Sequence, residues 1–230
     1  MKLYLIRHAD PDYVNDSLTP AGHLEAQALA RRLAAIPLTH LYTSPLGRAR
    51  MTAQYTAELL KLEPTAQDWM REFDGWHFDL EHDGKKTPLA AWNLPAEWMF
   101  LNPDSITEWW ERPENQDRFS LLGAASDVFL ASYGYVRKKN IYRVEENSSD
   151  HVAMFCHNGF GLTWLAHLLN LPVLSVWTSF WLAPSSVTTI TMDRRSEAWA
   201  APRVLSTGDT SHLYESRLPI QRRGLYPMLD

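Results

Sequence analysis

LYLIRHADPDYV, residues 3–14, is the stretch on which the fold of this chain turns. Leu3 to Ile6 form an apolar run without a turn residue, the pattern of a strand buried on both faces. The run stops at Arg7-His8, a cation beside an imidazole. Burying either side chain without a partner is costly, so a strand end that carries both needs a chemical reason. Two aspartates, Asp10 and Asp12, follow at once and compete for attention.

Outward from this strand the chain alternates. Thr19-Pro20 has the form of an N-cap followed by a first-turn proline, which predicts a helix to about Pro37. Residues 38–44 read as a second strand. Ser44-Pro45 repeats the cap-and-proline device before the helical stretch LGRARMTAQYTAELLK. Residues 150–156 and 185–192 read as further strands, with a helix after the first of them. Residues 117–139 look helical, and the last 30 or so residues look irregular. This alternation predicts an α/β fold, a layered and mostly parallel sheet flanked by helices, in a single domain spanning residues 1–230.

Residues 77–115 have a different texture. Four prolines (Pro88, Pro95, Pro103, Pro113) and four tryptophans (Trp92, Trp98, Trp109, Trp110) interrupt any period. Long irregular segments inside compact domains are often lids, so this stretch is expected to be an inserted cap. Its rings could face a ligand or form a small core of their own.

Composition narrows the partners. The chain has 230 residues, 45% apolar and 21% charged, with a net charge of −5, which argues against non-specific nucleic-acid binding. No stretch approaches the ~20 apolar residues of a membrane span, and no secretory leader is evident. Cys156 is the single cysteine, so an intramolecular disulfide is excluded, and the expected compartment is the cytoplasm. The helical stretch 117–139 offers a surface for a homodimer, and the oligomeric state stays open.

Ligands of open parallel sheets gather outside the carboxyl ends of the strands. Three strand ends here lead into polar residues: Arg7-His8, the approach to Arg48, and Cys156-His157-Asn158-Gly159. Two arginines and two histidines would meet on one rim. Arg offers a planar fork for phosphate oxygens, and a helix start adds free N–H donors. A phosphoryl group suits such a rim.

Four motifs in order, LIRHA, SPLGRARMTA, REFDGW and CHNG, with a later GDTSHL, resemble the histidine phosphatase superfamily, the phosphoglycerate mutase-like group. The resemblance implies a small-molecule phosphoester substrate and no metal or other cofactor. It implies that His8 is a nucleophile that becomes phosphohistidine. Arg7, Arg48 and His157 would hold phosphoryl oxygens, and Glu72 would protonate the leaving group. Asn15 would match a pocket asparagine, though its spacing from His8 is one residue long. Ala9 stands where the family has glycine, and so does Asn158. Asp74 competes with Glu72 as the acid.

The residue types fit that chemistry. Phosphate monoesters hydrolyse so slowly that enzymes accelerate them up to ~10²¹-fold. A covalent step divides the displacement in two. Neighbouring guanidiniums keep the imidazole neutral and spread phosphoryl charge. A free Glu, with a reference pKa of ~4.3, must be raised to act as an acid; a bound dianion or Trp76 would do this. The same group then activates water.

Other readings fit less well. Asp10-Pro11-Asp12 superficially resembles an aspartyl-phosphatase signature, but the strand end is occupied by Arg7-His8. A Cys-x5-Arg phosphatase fails because Leu162 holds the arginine position. HFDLEHD (77–83) matches no familiar metal spacing. A phosphomutase would share the active core. The 77–115 stretch carries only Lys85, Lys86 and Arg112 as basic residues, a poor cradle for a bisphosphate. A non-catalytic phospho-ligand binder is the remaining alternative.

Overall fold

The computed structural model describes residues 1–73, 76–82, 85–94 and 103–225. An eight-stranded sheet runs through the molecule, from Pro64–Ala66 at one edge to Tyr135–Lys138 at the other. Its first half is parallel: β5 (Pro64–Ala66), β4 (His40–Thr43), β10 (His151–Cys156) and β1 (Lys2–Arg7). Its second half is antiparallel: β11 (Val187–Arg194), β12 (Trp199–Asp209), β9 (Ile141–Val144) and β8 (Tyr135–Lys138). The sheet is therefore mixed rather than mostly parallel. Strand direction follows from connections, and β11–β12 and β8–β9 are joined by turns too short for a crossover.

β1 is central, and its side chains alternate between two cores as strand geometry requires. Tyr4 and Ile6 pack with Leu29 and Leu33 of helix α1 (Pro20–Leu33) and Ala53 of α2 (Gly47–Leu60). Leu3 and Leu5 face the other layer, with Leu122 and Leu130 of the helix Pro113–Ala131 and Trp164 of the helix Asn158–Leu169. The latter helix is buried on nearly all sides, which matches its continuous apolar sequence.

α1 starts as its sequence predicts: the Thr19 hydroxyl accepts the Gly22 N–H at 3.0 Å and Pro20 opens the first turn. α2 does not. Its N-cap is Leu46, which supplies no side-chain bond, and Asp16 Oδ2 instead accepts the Gly47 N–H at 2.6 Å from across the chain. The Ser44 hydroxyl meets His157 and accepts only the Leu46 N–H, at 3.3 Å, just ahead of the helix.

Three further stretches depart from expectation. The helix expected over 117–139 ends at Ala131, and the chain turns through Gly134 at φ +85° into β8. A side chain at Gly134 would strike the Glu146 carbonyl oxygen, only 2.5 Å from an added Cβ. The region expected to be irregular after 200 holds most of β12 and a short helix, Ser211–Glu215. Within 77–115 lie an antiparallel hairpin (His77–His82 with Lys85–Ala90) and a helix, Pro103–Trp110. Its tryptophans join Phe73, Trp76 and Trp177: Trp110 lies 5.7 Å from Trp76 and 5.5 Å from Trp177 between ring centroids. Trp76 and Trp109 are buried, so these rings form a core. Trp98 and Asp74 fall outside the described residues.

Candidate active site

Parallel register builds the floor of the site. Arg7 of β1 is paired with Cys156 of β10, so the next residues, His8 and His157, emerge side by side with ring centroids 5.2 Å apart. Thr43 of β4 is paired with Phe155, which places Ser44 beside the same edge. The Ser44 hydroxyl meets His157 Nε2 at 2.8 Å, and α2 then carries Arg48 in its first turn. Backbone bonds hold the strand end: the His8 N–H donates to Cys156, and the Ser185 N–H donates to the His8 carbonyl.

His8 is 2% exposed, and its Nδ1 lies 2.8 Å from the Ala9 carbonyl oxygen. A carbonyl can only accept, so Nδ1 carries the proton and the lone pair is left on Nε2. Burial first, then Arg7 and Arg48, push the His8 pKa well below its ordinary value of 6.5. His157 is pushed down in the same way, by burial first and then by His8 and both arginines. Both imidazoles are neutral near pH 7.

Arg7 is buried and held by main chain. Its Nη1 donates to the carbonyls of Leu182 at 2.5 Å and Arg223 at 3.2 Å. Arg48 Nη1 pairs with Asp16 at 2.6 Å, and its guanidinium carbon lies 5.4 Å from the Tyr13 ring centroid. Glu72 sits on the first turn of the helix Asn158–Leu169, accepting the N–H groups of Gly159 at 3.1 Å and Phe160 at 2.8 Å. Burial raises its pKa above 4.5, and the two amides and both arginines only partly oppose it. Burial therefore replaces the role that the sequence suggested for Trp76, which belongs to the aromatic core. Gly159 is required here, because an added Cβ would lie 2.6 Å from the Trp92 ring.

A cavity of about 170 Å³ joins these groups; Arg7, His8, Arg48 and Glu72 line it, with Tyr13, Trp92, Asn93 and Asn158 among its walls. A larger cavity of about 460 Å³, lined by His40, Tyr42, Glu146 and Asp150, opens where β4 and β10 begin and has no arginine among its described lining residues. Chemistry therefore gathers at the carboxyl ends of the parallel strands, as such sheets favour. Among the described residues no cluster of three or more His, Cys, Asp or Glu could hold a metal ion. No described helix is long and apolar enough to cross a membrane.

Five of the six residues singled out from the sequence converge here: Arg7, His8, Arg48, Glu72 and His157. Asn15 does not. It is exposed, and its amide donates to Asp12 at 2.7 Å in the loop leaving the pocket. Sequence reasoning missed Asp16, which both caps α2 and holds Arg48. It also missed Asn158, whose Oδ1 accepts the Leu182 N–H at 3.1 Å. The departure from glycine at 158 was the one visible signal. GDTSHL acts away from the cavity: Asp209 pairs with Arg32 at 2.7 Å, and His212 meets Ser185 at 3.1 Å, locking α1 to the sheet.

A buried imidazole with its Nε2 lone pair free, two guanidiniums and a raised carboxyl thus gather at the carboxyl ends of the parallel strands of an α/β sheet. The chain belongs to the histidine phosphatase superfamily (branch 1), whose family model matches residues 3–204. It is a phosphoric monoester hydrolase of that kind. Phosphoserine phosphatase 1 of Hydrogenobacter thermophilus is 26% identical over 232 residues, covering 94% of this chain and 95% of that protein. A variant phosphoserine phosphatase of Entamoeba histolytica, solved with phosphoserine, has the same fold. It superposes with a TM-score of 0.63 at 21% identity, covering 92% of this chain and 98% of that one. The alpha-ribazole phosphatase of Shigella flexneri matches with a TM-score of 0.57 at 20% identity, covering 91% and 97%.

Proposed function

We propose that the protein hydrolyses a small phosphorylated metabolite, without a metal, through phosphohistidine at His8. The observation that carries this reading is the His8 tautomer: Nδ1–H is committed to the Ala9 carbonyl, which aims a neutral Nε2 lone pair at chemistry. Nε2 attacks phosphorus, and the P–O bond to the leaving group breaks. Arg7 and Arg48 carry the charge on the phosphoryl oxygens. His157, its Nδ1 buried without a partner among the described residues, supplies a further contact. Glu72 gives its proton to the departing alkoxide. Water then attacks phosphorus and gives a proton to Glu72, the N–P bond breaks, and inorganic phosphate leaves with His8 neutral again.

The segment 77–115 serves as the cap in this reading, since Ala90, Trp92 and Asn93 border the cavity. A cavity of about 170 Å³ suits a phosphoryl group with a short leaving group. Relatives named for phosphoserine make phosphoserine the first substrate to assay, with 3-phosphoglycerate beside it. A cytoplasmic setting, with Cys156 reduced, belongs to the same reading.

The test is phosphoenzyme trapping. Rapid base quench with a radiolabelled phosphoester, chelator present, should give a base-stable, acid-labile label on His8. Labelling that persists in His8→Ala would overturn the mechanism. Conversion of 3-phosphoglycerate to its 2-isomer, without phosphate release, would assign a mutase instead.

A further inference from the structure

We propose that Arg223 is a positioning residue for the phosphoryl pocket: its ion pair with Asp10 straps residues 223–225 across Arg7 and so sets phosphoryl affinity. This rests on the reading of the cavity as a phosphoryl site. Asp10 is 3% exposed and follows the His8 strand end by two residues. Arg223 Nε donates to Asp10 Oδ1 at 2.7 Å and its Nη2 to Oδ2 at 3.3 Å, a two-pronged pair that fixes direction as well as distance. Thr19 holds the same carboxylate at 2.6 Å, so the anchor itself is rigid.

The strap touches the site through main chain. The Arg223 carbonyl accepts Arg7 Nη1 at 3.2 Å and Trp181 Nε1 at 3.1 Å. Gly224 borders the cavity and lies against Asn93, 3.3 Å from the position of an added Cβ. Arg7 therefore reaches the cavity with one face of its guanidinium already committed to two carbonyls. Releasing the strap frees one of them and opens the wall at Gly224. Loss of such preorganisation weakens binding rather than the chemical step. Asp10, which looked like a rival nucleophile in the sequence, becomes the anchor.

The experiment is orthophosphate binding by titration calorimetry, with kcat and KM measured in parallel. Arg223→Ala should weaken orthophosphate and raise KM each by about tenfold, with kcat within about twofold of the parent and an unchanged melting temperature. Arg223→Lys, which keeps the charge but loses the fork, should recover only part of the affinity. Arg222→Ala, an exposed neighbour with the same charge, should change nothing. Parental orthophosphate affinity in Arg223→Ala, while Arg48→Ala loses binding, would overturn the strap and leave the site intact. Parental affinity in Arg48→Ala would instead overturn the phosphoryl site. If Arg223→Ala melts early, Arg223→Gln replaces it under the same criteria.

Discussion

Arg7, His8, Arg48 and His157, the floor of the site, sit on strand ends and a helix start. Its walls come from Tyr13, Trp92, Asn93 and Gly224, in segments far apart along the chain. Main chain holds the floor: parallel register puts His8 beside His157, and carbonyls fix Arg7 and the His8 tautomer. Side-chain pairs hold the rest, Asp16 fixing Arg48 at the edge of the floor and Asp10 with Arg223 fixing the wall at Gly224. Sheet register is cooperative and hard to perturb, whereas a single ion pair can be removed alone. Floor substitutions should therefore delete a chemical step, and wall substitutions should shift affinity.

The largest effect tests the floor. His8→Ala should lower turnover by ~10⁴-fold or more while circular dichroism stays unchanged. Residual phosphohistidine chemistry would move the nucleophile elsewhere. Glu72→Gln should cost about 10²–10⁴-fold and should also alter the pH profile. His8 is held well below 6.5, so kcat/KM should fall only as pH drops into that depressed range. Glu72 is raised above 4.5, so its acid form, and with it activity, should be lost as pH rises through that raised value. A basic limb that survives in Glu72→Gln would assign it to another group.

Arg48→Ala should reduce turnover by about 10²–10³-fold, measured against an unchanged fold. Asp16→Ala probes the boundary between floor and wall. It releases Arg48 and uncaps α2, and about a tenfold rise in KM is expected. A loss equal to that of Arg48→Ala would make Asp16 part of the floor.

The smallest effect concerns stability beneath the floor. Glu25 accepts the Asp10 N–H at 2.9 Å, and burial raises its pKa to about 7. Its folded value exceeds the unfolded one, so the folded state binds the extra proton. That contribution is complete below 4.5 and is lost as pH rises through about 7. Glu25→Gln should flatten denaturation midpoints across this window. It should gain on the order of 3 kcal/mol at most at pH 8, and little at pH 4. A parallel pH dependence in both proteins would show that Glu25 is not the titrating group.

Much of the floor was legible because its residues adjoin apolar runs that can only be strands. Arg7-His8 and His157 stand at the ends of such runs, and strand ends of parallel sheets face ligands. Thr19-Pro20 announced α1 because N-capping is local chemistry. Ser44-Pro45 misled for the converse reason: the group that caps α2 is Asp16, 31 positions from Gly47. The direction of the antiparallel half was also illegible, since SSVTTITM reads as strand in either direction and only its pairing with β1 orients it. Asn15 matched the family pattern by approximate spacing, but its amide is spent on Asp12.

The sequence by itself determined most of the candidate set and the parallel core that presents it, because both depend on short-range pattern: apolar runs, their polar ends and helix starts. Tertiary structure decided which nitrogen of His8 is free, why Glu72 is raised, and what encloses the cavity. Each of these depends on groups brought together by folding, and the Asp10–Arg223 pair spans 213 positions of chain. No local pattern encodes such a pairing, since burial and the placement of a distant partner exist only once the sheet has formed.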